Sequence, residues 1–194
     1  MPNKTIIIGV GSAGSQAVNH IKYYFDDQIE FILADTDPDT FEDLLDPYTF
    51  ARGLSTDVFE NEDKKVKPVF YIFAKNMPIT KPLLLDALKA DTVFVVCWIG
   101  WGTSNTPGLA NYISKVAKEG GAKVNVLALL PLEEKAELRE SIKDSRKIRA
   151  LKSKSDDVIL LDSNEIPGKP IGLSEEQAFE CLRPTIVKRI MAKL

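Results

Sequence analysis

Gly9, Gly11 and Gly14 follow the apolar run Thr5-Ile6-Ile7-Ile8 and precede a helical stretch that opens Ser15-Gln16-Ala17-Val18. Glycines at this spacing let a strand turn directly into a helix and let the backbone approach a bound group with no Cβ between them. The N–H groups of the first helical turn, together with the helix dipole, then favour an anion, most often a phosphate. The candidate contacts are Gly11, Ser12, Ala13, Gly14, Ser15 and Gln16. Ordinary strand-to-helix turns carry such glycines too, and it is the position between a strand and a helix that gives the pattern weight. A second stretch, Trp98-Ile99-Gly100-Trp101-Gly102-Thr103-Ser104-Asn105-Thr106-Pro107-Gly108, has the same character. Gly100, Gly102, Thr103, Ser104 and Asn105 offer backbone and side-chain donors, Thr106 suits a helix cap and Pro107 a first helical position. That stretch also reads as a capped helix start whose hydroxyls bond only locally. Two cradles on neighbouring strand ends would hold a polyphosphate between them.

Asp35 lies 21 residues beyond Gly14, where the dinucleotide fingerprint places an acid that meets a ribose hydroxyl. Asp37 reads as a turn residue. The sequence has one histidine, His20, and two cysteines, Cys97 and Cys181, which disfavours a zinc site. Both thiols are expected to be free and buried. No catalytic residues and no metal ligands are assigned.

Strand signals occur at Thr5–Gly9, Ile29–Ala34, Val66–Ala74, Thr92–Cys97, Lys123–Leu130 and Asp157–Leu161. Several are unbroken β-branched or aromatic runs, the pattern of strands covered on both faces. Helical stripes separate them: Ala17, Val18, Ile21 and Phe25; Leu84, Ala87 and Leu88; Leu109, Ile113, Val116 and Ala117, closed by Gly120-Gly121. Leu138, Ile142 and the Arg146 stem continue the pattern through one basic helix. A short helix is expected around Phe41–Leu45 in an acidic excursion from Asp39 to Asp63. Ser174-Glu175-Glu176-Gln177 is a capping box for a last helix carrying Phe179, Leu182, Ile186 and Ile190, which Pro184 is expected to kink or split. The alternation predicts an α/β fold, a three-layer, doubly wound, mainly parallel sheet, with residues 1–194 as one domain.

At 194 residues, such a domain buries roughly 70% of its unfolded surface. No apolar run reaches the ~20 residues of a membrane span and the N-terminus lacks a secretory core, so a cytoplasmic protein is expected. The net charge of −3 hides an asymmetry. From Asp26 to Asp63 there are 13 carboxylates against one base, Arg52, whereas from Lys135 to Lys154 eight Lys or Arg face three acids. Opposed patches of this kind suit self-association or a charged partner, and equally two solvated faces. The basic stretch lacks interleaved aromatics, which argues against nucleic acid.

Taken in order, the motifs resemble the nucleotide-binding domain of the FtsZ/tubulin family over nearly the whole chain. Ile8-Gly9-Val10-Gly11-Ser12-Ala13-Gly14-Ser15-Gln16-Ala17-Val18-Asn19 is similar to I-G-V-G-G-G-G-S/G-N-A-V-N, and Phe31-Ile32-Leu33-Ala34-Asp35-Thr36-Asp37 to F-x-x-x-N-T-D. Asp91-Thr92-Val93-Phe94-Val95-Val96 and Gly100-Trp101-Gly102-Thr103-Ser104-Asn105-Thr106 resemble D-M-V-F-I-x and G-G-G-T-G-T-G. Val116-Ala117-Lys118-Glu119-Gly120-Gly121-Ala122 resembles A-K-E-x-G-A. Leu130-Pro131 with Arg139 resembles K-P-F-x-F-E-G-x-x-R, and Gln177-Ala178-Phe179 the D-A-F of the central helix.

The resemblance implies a nucleotide, GTP or GDP, with or without Mg²⁺, held by the two glycine loops, with Arg139 and Phe179 flanking sugar and base. It also implies a cytoskeletal accessory or regulator that self-associates or meets an FtsZ/tubulin-like partner. The chain differs from the family pattern at Ser12, Ala13 and Trp101 (glycines), Gln16 and Asp35 (asparagines), Lys135 (the acidic ribose contact) and Arg183-Pro184 (the base-reading Asp-Asn). The glycine-alanine loop that covers the γ-phosphate has no counterpart in Lys75-Asn76-Met77-Pro78. In the family, an acidic loop of a second domain completes the neighbouring subunit's site. The 194 residues match only the first domain, so no autonomous hydrolysis is expected. Two other readings stay open: an NAD(P)-type dinucleotide-binding domain, and a ligand-free interaction module using Trp98 and Trp101.

Overall fold

The computed structural model describes residues 3–35, 69–73, 81–99, 106–131, 136–162 and 175–194; of these, 69–73, 83, 136–139, 175, 176, 178 and 179 are described by backbone alone. Six strands, β1 (Thr5–Val10), β2 (Ile29–Asp35), β3 (Val69–Phe73), β4 (Thr92–Trp98), β5 (Lys123–Leu130) and β6 (Asp157–Asp162), form one sheet. Every pairing is parallel, in the order β3-β2-β1-β4-β5-β6. The chain starts in the middle, winds outward to β3, returns to β4 beside β1 and winds outward again. The six expected strands are present, each within a few residues of the expected bounds.

Two apolar layers follow from the two-residue period of the strands. Ile6, Ile8 and Val10 of β1 face one side, with Val93, Val95 and Cys97 of β4 and Val124, Val126 and Ala128 of β5. That side is covered by α2 (Lys81–Ala87), α3 (Thr106–Glu119), α4 (Ala136–Lys143) and α5 (Arg146–Lys154), through Leu84, Ala110, Ile113, Ile142, Ile148 and Leu151 among others. Ile7, Phe31, Leu33, Phe94, Val96 and Leu127 face the other side. They are covered by α1 (Gly11–Ile21) and α6 (Glu175–Met191), through Val18, Ile21, Leu182, Ile186 and Ile190. Helices on both faces of a parallel sheet make the three-layer α/β fold. Trp98 is half-buried against the α1/α6 layer, as a core residue at a strand end.

Local signals explain most boundaries. α3 ends at Glu119; Gly121 takes φ +91°, and Ala122 N–H returns to the Ala117 carbonyl, a glycine-closed helix end. The expected single basic helix is instead two, α4 and α5. Ser145 breaks it, its hydroxyl accepting from Ile148 N–H at 3.4 Å as the N-cap of α5, and Arg146 is exposed rather than packed. Pro184 does not split the last helix: α6 runs unbroken from Glu175 to Met191. Pro184 is exposed, so the carbonyl it leaves without a helical donor lies on the wet side of the helix. The expected Phe41–Leu45 helix and the Ser174 cap lie outside the described residues.

The cysteines also differ from expectation. Cys97 is buried in β4, whereas Cys181 is exposed, because α6 turns Leu182 inward and leaves position 181 outside. Burial pushes the Cys97 thiol up to about 12. In the native protein a thiol-reactive probe is expected to label Cys181 alone, with Cys97 reacting only after denaturation; mass spectrometry of the labelled chain checks this.

Ion pairs tie the amino-end side of the sheet. Asp156, just before β6, accepts from Lys118 Nζ at 2.7 Å and from Val124 N–H at 2.8 Å, which hold its carboxyl below the ordinary range. A carboxyl that ionises more readily in the fold contributes stability above the ordinary value near ~4, and loses it as pH falls through the depressed folded value. Asp156→Asn keeps an acceptor for Val124 but loses the charge. It is expected to cost less than about 1 kcal/mol at pH 7, the pair being partly solvated, and to flatten the loss of stability in acid. Thermal melts at pH 7 and pH 3 read both.

Candidate functional site

The order of strands places the site before any side chain is considered. β1 and β4 are neighbours from which the chain winds in opposite directions, so the helices that follow them, α1 and α3, lie on opposite faces. The carboxyl ends of β1 and β4 are therefore the point at which the winding of the sheet reverses, the place where open α/β sheets hold their ligands. The two glycine-rich stretches of the sequence begin at those two ends.

β1 passes into α1 with no intervening loop. Gly11 makes the turn at φ +73°, a conformation that other residues rarely adopt. An added Cβ there would sit 2.6 Å from Thr106 Oγ1 and 2.7 Å from its Cγ2, so the first residue of α1 lies against the first residue of α3. The two helix starts are thus in contact. The residue before α1, Val10, gives no side-chain cap, and the first turn has no acid. Its N–H groups keep their capacity for an acceptor from outside the helix, so the first turn fits an anion.

The other two glycines fix how deeply α1 is seated. A Cβ on Gly9 would fall 2.5 Å from the Gly14 carbonyl oxygen and 2.7 Å from Ser15 Cα. A Cβ on Gly14 would run into the Val96 carbonyl oxygen of β4. The helix therefore rides over the β1–β4 seam at backbone contact distance. Ser15 is fully buried, and its hydroxyl donates to the Gly9 carbonyl at 3.2 Å. That side chain holds helix to strand. Ser12 is exposed, Ala13 and Gln16 are half-buried, and these line the outer side of the first turn.

Asp35 ends β2, one residue past Ala34, which pairs with Val10. Its side chain is buried, at the same rim as the start of α1. Gly100, Gly102, Thr103, Ser104 and Asn105 lie outside the described residues, as do Trp101 and Lys135. Arg139 stands in α4 and Phe179 in α6, both with backbone described alone. The structure thus gathers Gly11 to Gln16 and Asp35 at one rim and adds Thr106, whose contact with Gly11 the sequence did not reveal. Asp162, buried at the end of β6 with Lys143 Nζ 3.6 Å away, is a further acid of the strand-end rim that the sequence did not single out. No group of three or more metal-ligating side chains occurs among the described residues, and none of their helices is long and apolar enough to cross a membrane.

No family model matches the chain. The cell division protein FtsZ 2 of Methanocaldococcus jannaschii is 28% identical over 195 residues, covering 94% of this chain and 47% of that protein. FtsZ 2 of Halobacterium salinarum is 27% identical over 193 residues, covering 96% and 46%. The chain thus spans about half the length of these relatives. Among solved structures, a point mutant of M. jannaschii FtsZ superposes with a TM-score of 0.66 at 15% identity, over 97% of this chain and 55% of that one. TubZ of Bacillus thuringiensis serovar israelensis, solved as GDP-form protofilaments, gives 0.57 at 12% identity, over 97% and 52%.

Proposed function

From the premise that the chain is an FtsZ/tubulin-like domain, we propose that it binds a guanine nucleotide at the β1/β4 strand ends and acts as an accessory or regulator of a cytoskeletal system. The observation that carries this reading is the contact between Gly11 and Thr106. It joins two helix N-termini at the one place in the sheet where the chain reverses direction. The phosphates would lie across the first turn of α1 and the start of α3, on backbone N–H groups that the N-cap residue Val10 does not cap at the α1 end. Gly100, Gly102, Thr103, Ser104 and Asn105 would close the second side, with Arg139 and Phe179 toward sugar and base. Asp35, an acid beside an anionic ligand, favours either a ribose hydroxyl or a Mg²⁺ ion between itself and the phosphates.

The relatives carry their similarity over about half their length. We propose that this domain binds nucleotide without autonomous hydrolysis, the acidic loop of the site being one that the resemblance assigns to another domain. A TubZ relative forms protofilaments in its GDP form, which supports self-association here as well. A fluorescent GDP analogue displaced by GTP and GDP but not by ATP or NAD is the expected result of a competition assay. Displacement by NAD and not by GDP would overturn the guanine assignment.

A further inference from the structure

The last helix carries apolar residues on a second side. Leu182, Ile186 and Ile190 turn α6 into the core. Pro184, Val187, Met191 and Leu194 recur at spacings of three, four and three residues, a separate stripe with the heptad rhythm of a helix–helix seam. Leu194 lies past the end of α6 but keeps the helical path, its N–H donating to the Ile190 carbonyl at 3.2 Å.

This stripe borders a groove. Tyr24, from the 3₁₀ turn Lys22–Tyr24 that follows α1, joins Pro184, Val187, Lys188 and Met191 around a hollow of about 340 Å³. Tyr24 is 64% and Met191 50% exposed, so the hollow is open to solvent. Of the five large apolar side chains exposed among the described residues, four belong to these two chain segments: Tyr23, Tyr24, Met191 and Leu194. Exposed apolar residues scattered singly are ordinary, whereas a cluster of them marks a surface that something covers. The charge at the groove is one-sided. Lys188 is exposed and forms no ion pair with a described residue, whereas Arg183, just before Pro184, is held by Glu180 at 2.6 Å.

An occupant has to fill an apolar hollow beside a heptad-spaced stripe and bring a carboxylate to Lys188. An amphipathic helix with acidic flanks does both. A two-fold contact with a second copy would instead set Lys188 against the same cationic patch. A helix that lies on a bilayer gives it a whole apolar face, and α6 has already given its inner face to the core.

We infer that the groove docks an amphipathic helix of a partner protein, with apolar side chains seated between Tyr24 and Met191 and a carboxylate opposite Lys188. Lys193 pairs with Asp157 at 2.7 Å and so ties the end of α6 to the start of β6. The groove therefore lies toward the amino-end side of the sheet, away from the strand-end site, and its occupancy needs no nucleotide.

The probe is a fluorophore-labelled synthetic helix with leucines at heptad spacing and flanking glutamates, titrated into the nucleotide-free chain with anisotropy as the readout. Wild type is expected to bind it, and to bind the same peptide with lysines in place of glutamates about tenfold more weakly. Met191→Glu, at an exposed position, is expected to weaken the contact by about tenfold or more, with circular dichroism and melting temperature as in wild type. Lys188→Glu is expected to reverse the preference, favouring the lysine-flanked peptide. No binding by wild type, binding indifferent to Met191→Glu, or a preference unchanged in Lys188→Glu overturns the inference. So does a Met191→Glu variant that loses dimers in sedimentation or loses binding to phosphatidylserine vesicles, which would give the groove to a second copy or to a bilayer.

Discussion

Gly14→Ala is expected to destabilise the domain by about 2 kcal/mol or more, although alanine in a helix is favoured over glycine by roughly 1 kcal/mol. The two effects have opposite signs, so the measurement decides between them. The new methyl group would meet the Val96 carbonyl oxygen, a backbone atom within the central β1–β4 pair of the sheet, which cannot rotate away. The helix would have to lift, and Val18 and Ile21 behind it would lose their seat on Ile7, Phe94 and Val96. Chemical denaturation of both proteins reads the difference directly. A variant as stable as wild type would mean that α1 does not ride at backbone distance over β4. Gly14→Val, with a larger group against the same carbonyl, is expected not to fold, which makes position 14 unsuitable for probing ligand binding.

Ser12→Glu is the variant that separates binding from folding. Ser12 is exposed in the first turn of α1, a turn with neither a side-chain cap nor an acid. A carboxylate there interacts favourably with the helix N-terminus, by about 0.3–1 kcal/mol, which for a domain of this size raises the melting temperature by roughly 1–4 °C. The same carboxylate occupies the place proposed for phosphate and repels it. Nucleotide affinity is expected to fall at least tenfold, about 1.4 kcal/mol, while Ser12→Gln changes it much less. A Ser12→Glu protein that is stabilised and still binds GDP as wild type does would remove the phosphates from the first turn of α1.

Much of this architecture is legible in the sequence because it is written in burial. Strands covered on both faces leave no room for polar alternation, so β1, β4 and β5 stand out as continuous apolar runs. The assumption that the two glycine-rich stretches begin at neighbouring strand ends holds, since Ile8 pairs with Val95 and Val10 with Cys97. Which residues meet across that gap is a tertiary fact, and the contact of Gly11 with Thr106 leaves no trace in either stretch alone. Ser15 illustrates a signal available but outweighed. Its hydroxyl in a glycine loop suggests a phosphate donor, yet positions 14, 15, 18 and 21 lie on one helical face, and that face is the buried one. The same period accounts for Cys181 and Pro184, which fall outside the stripe of Leu182, Ile186 and Ile190 and are exposed. Ser145, a residue type favoured at helix N-caps, marks in the sequence itself the break between α4 and α5.

Whether the β1/β4 strand ends bind a guanine nucleotide is tested most directly by isothermal titration of the folded chain. Wild type and Ser12→Glu would be titrated with GTP, GDP, ATP and NAD, each with and without Mg²⁺. Micromolar binding of GTP or GDP to wild type, about −8 kcal/mol, with at least tenfold loss in Ser12→Glu, is the predicted result. No heat with any nucleotide, at concentrations that would reveal a dissociation constant of ~100 μM in a protein shown to be folded, would contradict it.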